Sequence, residues 1–125
     1  MTTTEDTQWP RPGYAAESKI HPIAILNTSI LTADGSYTLS TITLDQARSL
    51  IAHREIISAV GHQSTADILT TLLGREIPVN RIEFAQEREQ AAIVFKLRGR
   101  PPEGAILSAE EVEAIGYDLK ILDRY

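Results

Sequence analysis

The chain has 125 residues, 42% of them hydrophobic, enough for one compact domain with a buried core and too many for a disordered chain. It has no cysteine, which excludes disulfides and thiolate metal sites and fits a reducing cytoplasm. A net charge of −5 opposes broad duplex-DNA binding, which needs many cations against phosphate, yet permits a small anion held by a few local arginines.

Residues 1–20 are polar around Trp9-Pro10-Arg11-Pro12-Gly13 and are expected to form a flexible N-terminal extension. Met1 to Asp6 lack the basic and apolar regions of a signal peptide, and no apolar run approaches the ~18 residues of a membrane span. The folded domain is expected over residues 21–125. Ile23-Ala24-Ile25-Leu26 reads as a short buried strand. Asp34-Gly35 signals a turn, and the β-favouring run from Tyr37 follows it. Thr43 and Gln46 form a capping box, with Leu44, Ala47, Leu50 and Ile51 on one helical face. Residues 56–60 form an apolar strand.

Ser64 and Asp67 are expected to start a second helix in a weaker box, and Gly74 to stop it. Residues 79–86 and 91–97, separated by Glu87-Arg88-Glu89-Gln90, read as a β-hairpin with a solvated tip. Ser108 and Glu111 cap a third helix, with Leu107 and Val112 spaced as a hydrophobic staple. Gly116 ends that helix, and Tyr117, Leu119 and Ile121 alternate as a last strand. The expected order is β-β-α-β-α-β-β-α-β, a single α/β domain. Helical crossovers imply parallel pairing and the hairpin implies antiparallel pairing, so the sheet is mixed, with about three flanking helices.

The most informative stretch is Gly61-His62-Gln63-Ser64-Thr65-Ala66, which places a histidine where a strand meets a helix. Backbone N–H groups at a helix start attract anions, phosphate above all. Histidine titrates near neutrality and can hand a proton to an alkoxide leaving group. Gly61 lets the main chain approach a ligand. Ser64 and Thr65 are explained first as capping residues whose N–H groups also suit phosphate oxygens. A second cluster, Arg98-Gly99-Arg100-Pro101-Pro102-Glu103-Gly104, offers two guanidinium groups and a carboxylate in a stiff loop. Arginine stabilises a phosphorane-like transition state, although a salt-bridged surface loop explains the same residues. Arg81 is a further anion contact, or simply a solvated residue. Asn27-Thr28-Ser29 ends the first strand, where ligands of crossover sheets bind, or where a turn merely begins. His21, His53 and His62 have no metal-ligand spacing, so no metal or cofactor is expected.

These runs, together with Val79-Asn80-Arg81-Ile82-Glu83-Phe84, resemble the viral type III anti-CRISPR ring nuclease family over roughly residues 22–123. The resemblance implies a homodimer that binds cyclic tetra-adenylate, the second messenger of type III CRISPR defence, across its two-fold axis. It implies metal-independent opening of the ring to linear di-adenylates with 2′,3′-cyclic phosphate ends. By position, His62 looks like the general acid, Arg100 like the phosphate clamp and Glu103 like a catalytic or orienting carboxylate. Arg81, Asn27, Ser29, Ser64 and Thr65 look like ligand-binding positions. The N-terminal extension has no counterpart in the family core. Two other readings compete: a non-catalytic sponge or sensor of the same nucleotide, and a dimeric viral regulatory protein.

Overall fold

The computed structural model describes residues 12–99 and 107–125. Within them, five strands form one mixed sheet: β1 (Ile23–Leu26), β2 (Tyr37–Thr41), β3 (Ile56–Ser58), β4 (Ala91–Leu97) and β5 (Tyr117–Arg124). Their spatial order is β2-β5-β4-β1-β3. The pairs β1–β3 and β1–β4 are parallel, and β5 runs antiparallel to both β4 and β2. Among the described residues, four helices accompany the sheet: α1 (Tyr14–Glu17), α2 (Leu44–Ile51), α3 (Gln63–Leu73) and α4 (Ala109–Ile115). The α/β class and mixed sheet are as expected from the sequence.

Strand alternation divides the core in two. Ile25 pairs with Ile93 and Ile93 with Ile121, and this row faces the layer built from Ala47, Ile51, Leu69, Leu72 and Val112. All four helices contribute to that layer. The neighbouring row, Ala24–Ala92–Leu122, faces the opposite side. Phe84 and Ile30, both outside helices, cover it there. The central strand β4 is buried over Ala91-Ala92-Ile93-Val94-Phe95, as a strand covered on both faces must be.

Local chemistry sets several boundaries. Thr43 accepts from the Gln46 N–H while the Gln46 side chain accepts from Thr43, and Ser108 and Glu111 repeat this reciprocal box at α4. Gly74 ends α3 in the left-handed region, φ 68°, where a Cβ is disfavoured.

Three expectations need correction. Residues 79–86 form no strand, so the hairpin is absent. Both edges of β4 are already taken, by β1 and β5, and Phe84 instead packs on the helix-free side. Side-chain amides replace a ladder there: Gln86 donates to the carbonyls of Gln90 and Leu122, and Gln90 donates to that of Pro22. Second, α3 starts at Gln63, so Ser64 lies in its first turn and is not its cap. Third, residues 12–20, expected within a flexible extension, carry α1 with Ala15 and Ala16 buried. Asp123, 0% exposed, receives the Gly13 N–H at 2.9 Å and the Ala15 N–H at 3.1 Å. Burial pushes this carboxyl above the ordinary range, against the two N–H groups that favour its charge. Arg54 adds hydrogen bonds to the carbonyls of Ala16 and, at 2.8 Å, His21.

Candidate functional site

Because β1, β3 and β4 are mutually parallel, their C-terminal ends share one edge of the sheet. Each strand delivers a candidate segment to that edge: Asn27 after β1, Gly61-His62 after β3, and Arg98-Gly99 after β4. Asn27, Ser64 and Thr65 line one cleft of about 230 Å³, with Phe95, Lys96 and Gly99 of the β4 end. Three segments far apart in sequence, at residues 27, 64–65 and 95–99, are thus gathered where ligands of crossover sheets bind.

The turn between β3 and α3 carries His62. Its main chain is the N-cap of α3, its carbonyl accepts the Ala66 N–H at 3.0 Å, and its side chain is exposed without capping the helix. The N–H groups of Gln63, Ser64 and Thr65 have no acceptor among the described residues. The Gln63 side chain turns to Asp67 at 2.7 Å instead. In α2 and α4 a capping box satisfies the helix start, whereas α3 presents bare N–H groups beside a histidine.

Arg81 lies against this turn. Its Nε donates to the Gly61 carbonyl at 2.9 Å, which aims the guanidinium and leaves its terminal nitrogens without a partner among the described residues. A Cβ on Gly61 would meet the Arg81 Cγ at 3.6 Å, an ordinary contact, so packing does not demand glycine there.

Other candidates fall elsewhere. Ser29 is exposed beyond β1 and does not line the cleft. Arg100 and Glu103 lie outside the described residues. Arg98 is held by Asp118, Nη2 to Oδ1 at 2.8 Å and Nε to Oδ1 at 3.3 Å, as in a salt-bridged surface loop. The pair raises the guanidinium pKa and lowers that of the carboxyl, the hydrogen bond being the larger cause in each. Sequence reasoning missed Lys96 at the cleft, which sits inside a strand read for its apolar run, and Asn80 beside the turn, which sat in the supposed hairpin.

The model of the STIV B116-like family matches residues 23–119. The chain belongs to the STIV B116-like family. It is 38% identical over 104 residues to protein YddF of Bacillus subtilis, covering 82% of this chain and 96% of that one. It is 35% identical over 83 residues to protein 26 of Sulfolobus islandicus filamentous virus, covering 66% and 70%. A solved structure, B116 of Sulfolobus turreted icosahedral virus, superposes with a TM-score of 0.73 at 20% identity, covering 82% of this chain and 99% of that one. At that identity the likeness establishes the fold. The family includes viral proteins, as the sequence resemblance implied. Among the described residues no helix is long and apolar enough to cross a membrane.

Proposed function

We propose that this protein is a metal-independent phosphodiesterase that opens cyclic tetra-adenylate and thereby silences type III CRISPR signalling in the cytoplasm. The observation that carries the reading is the bare α3 N-terminus beside His62 and Arg81, on the edge shared by three parallel strands. A phosphate held by the N–H groups of Gln63, Ser64 and Thr65 lies next to an imidazole able to protonate its leaving oxygen. The nucleophile is the substrate's own ribose 2′-hydroxyl. It gives up its proton to solvent water as it attacks the adjacent phosphorus, the P–O5′ bond breaks, and the 5′-oxygen takes a proton from His62. The products are a 2′,3′-cyclic phosphate and a 5′-hydroxyl.

Arg81 supplies positive charge to the non-bridging oxygens, a role in which guanidinium groups excel. Arg100 and Glu103 are assigned the clamp and the carboxylate by resemblance. The general acid contributes about 10²–10⁴-fold, and positioning and charge stabilisation contribute the larger share.

The cleft of about 230 Å³ is smaller than the ~300–1,000 Å³ of a small-molecule site, so one chain accommodates only part of a four-nucleotide ring. A homodimer presents the same groups twice and matches the ring's own symmetry. The test is to incubate the purified protein with cyclic tetra-adenylate in excess EDTA and identify products by liquid chromatography with mass detection. Linear adenylates with cyclic phosphate ends are expected. An intact ring that binds tightly would instead mark a sponge or sensor, and no binding would leave a nucleotide-independent role.

A further inference from the structure

β3 is an edge strand, so past Ser58 the main chain has β1 on one side and, among the described residues, no further strand on the other. The last ladder bond runs from the Ala59 N–H to the Ile25 carbonyl at 2.9 Å. Beyond it the polypeptide must leave the sheet, turn and start α3 while keeping its polar groups satisfied. Residues 78–81 do this work. The Asn80 side-chain amide donates to the Ser58 carbonyl at 2.8 Å, and the Asn80 N–H donates to the Val60 carbonyl at 2.8 Å. The Ser58 hydroxyl donates to the Pro78 carbonyl at 2.6 Å and accepts the Val60 N–H at 3.2 Å. Ser58 is buried and Asn80 half-buried, so these bonds are shielded from competing water.

The His62 imidazole makes no hydrogen bond or ion pair among the described residues. Among the described residues no side chain orients the ring, so within them its placement comes from its main chain. That main chain is fixed on the C-terminal side by the first α3 bond and on the N-terminal side by the bonds to residues 78–81. A proton donor displaced by ~1 Å costs of the order of 10²-fold in rate.

We infer that Asn80 is a positioning residue for His62, a side-chain splint that stands in for the missing neighbour strand and sets the β3–α3 turn. The catalytic part of this inference rests on the phosphodiesterase reading above. Asn80 touches no ligand; it acts through Ser58 and Val60.

The test uses Asn80→Ala and Asn80→Asp in the full chain, the second keeping shape while replacing the donor with an acceptor. In single-turnover cleavage of cyclic tetra-adenylate, each variant is expected to lose about 10–100-fold in rate while affinity for the ring changes less than about threefold. Placed on a His62→Ala background, either change is expected to cost nothing further, because the group it positions is gone. An equal loss in both backgrounds would overturn the inference. A second readout needs no substrate. Backbone order parameters of Gly61 and His62 are expected to fall from about 0.85 to below about 0.6. Order parameters unchanged in both variants would overturn the splint. A wild-type protein that leaves the ring intact would instead remove the phosphodiesterase reading and the catalytic role with it, and the order parameters would still decide whether Asn80 fixes the turn.

Discussion

Replacing Gly61 with alanine separates ligand chemistry from folding at one position. Gly13, Gly35, Gly74 and Gly116 have positive φ, and Gly61 is not among them, so an L side chain meets no backbone penalty there. The new Cβ would rest 3.6 Å from the Arg81 Cγ, an ordinary van der Waals distance. With both costs absent, alanine narrows the unfolded ensemble and stabilises by about 0.4–1 kcal/mol. For a domain of this size that is a rise in Tm of roughly 2–5 °C. The same methyl stands on the Arg81 side of the turn, where the scissile phosphate is proposed to sit. We expect at least a tenfold loss of affinity or turnover on cyclic tetra-adenylate, about 1.4 kcal/mol. Thermal unfolding and ring cleavage, measured on the same preparation, check both halves. A fall in Tm of more than a few degrees would show that the fold requires this glycine. Unchanged cleavage and binding would show that the ligand does not approach the turn. Gly74→Ala is the control: at φ 68° with open space around it, it should lose about 1 kcal/mol of stability and no activity.

Arg81→Ala removes both the bond to the Gly61 carbonyl and a cation beside the proposed phosphate. Ring affinity measured by calorimetry should fall at least tenfold, and Arg81→Lys should restore it only in part because lysine lacks the Nε that aims the group. Asp123→Ala leaves the Gly13 and Ala15 N–H groups without their acceptor and should cost about 1–3 kcal/mol in chemical denaturation; an unchanged midpoint would mean that α1 does not depend on this carboxylate. Tyr117 is pushed up to about 12, first by burial and then by its hydrogen bond to Glu113. Because its folded pKa exceeds the unfolded value of 10.0, the stability it contributes is complete below that value and is lost as pH rises through about 12. Tyr117→Phe should therefore remove a step near pH 12 from the tyrosinate absorbance titration and flatten the alkaline loss of stability.

Two capping boxes were legible in the sequence because their partners are close in the chain. Thr43 with Gln46 and Ser108 with Glu111 complete their boxes within one helical turn, and both appear as read. The run from Ala91 was legible because a strand buried on both faces must be continuously apolar. His62 at a strand–helix junction was legible for the same local reason. One local reading failed, the Ser64–Asp67 box, because α3 already starts at Gln63; the other failures depended on distant partners. Residues 79–86 have strand-like composition, but whether they join a sheet depends on which edges β1 and β5 leave open. The four-residue α1 has almost no periodicity to detect, and the carboxylate that anchors it lies 110 residues from Gly13. Asn80 carried no signal, because its role exists only once β3 has become an edge strand.

The central claim is that the histidine at the head of α3 delivers the proton that opens a phosphodiester. Its most direct test is single-turnover cleavage of cyclic tetra-adenylate by the wild type and His62→Ala, with ring affinity measured on the same samples. Both proteins should bind the ring tightly, and the variant should lose about 10²–10⁴-fold in cleavage rate. Equal cleavage rates in the two proteins would contradict the claim.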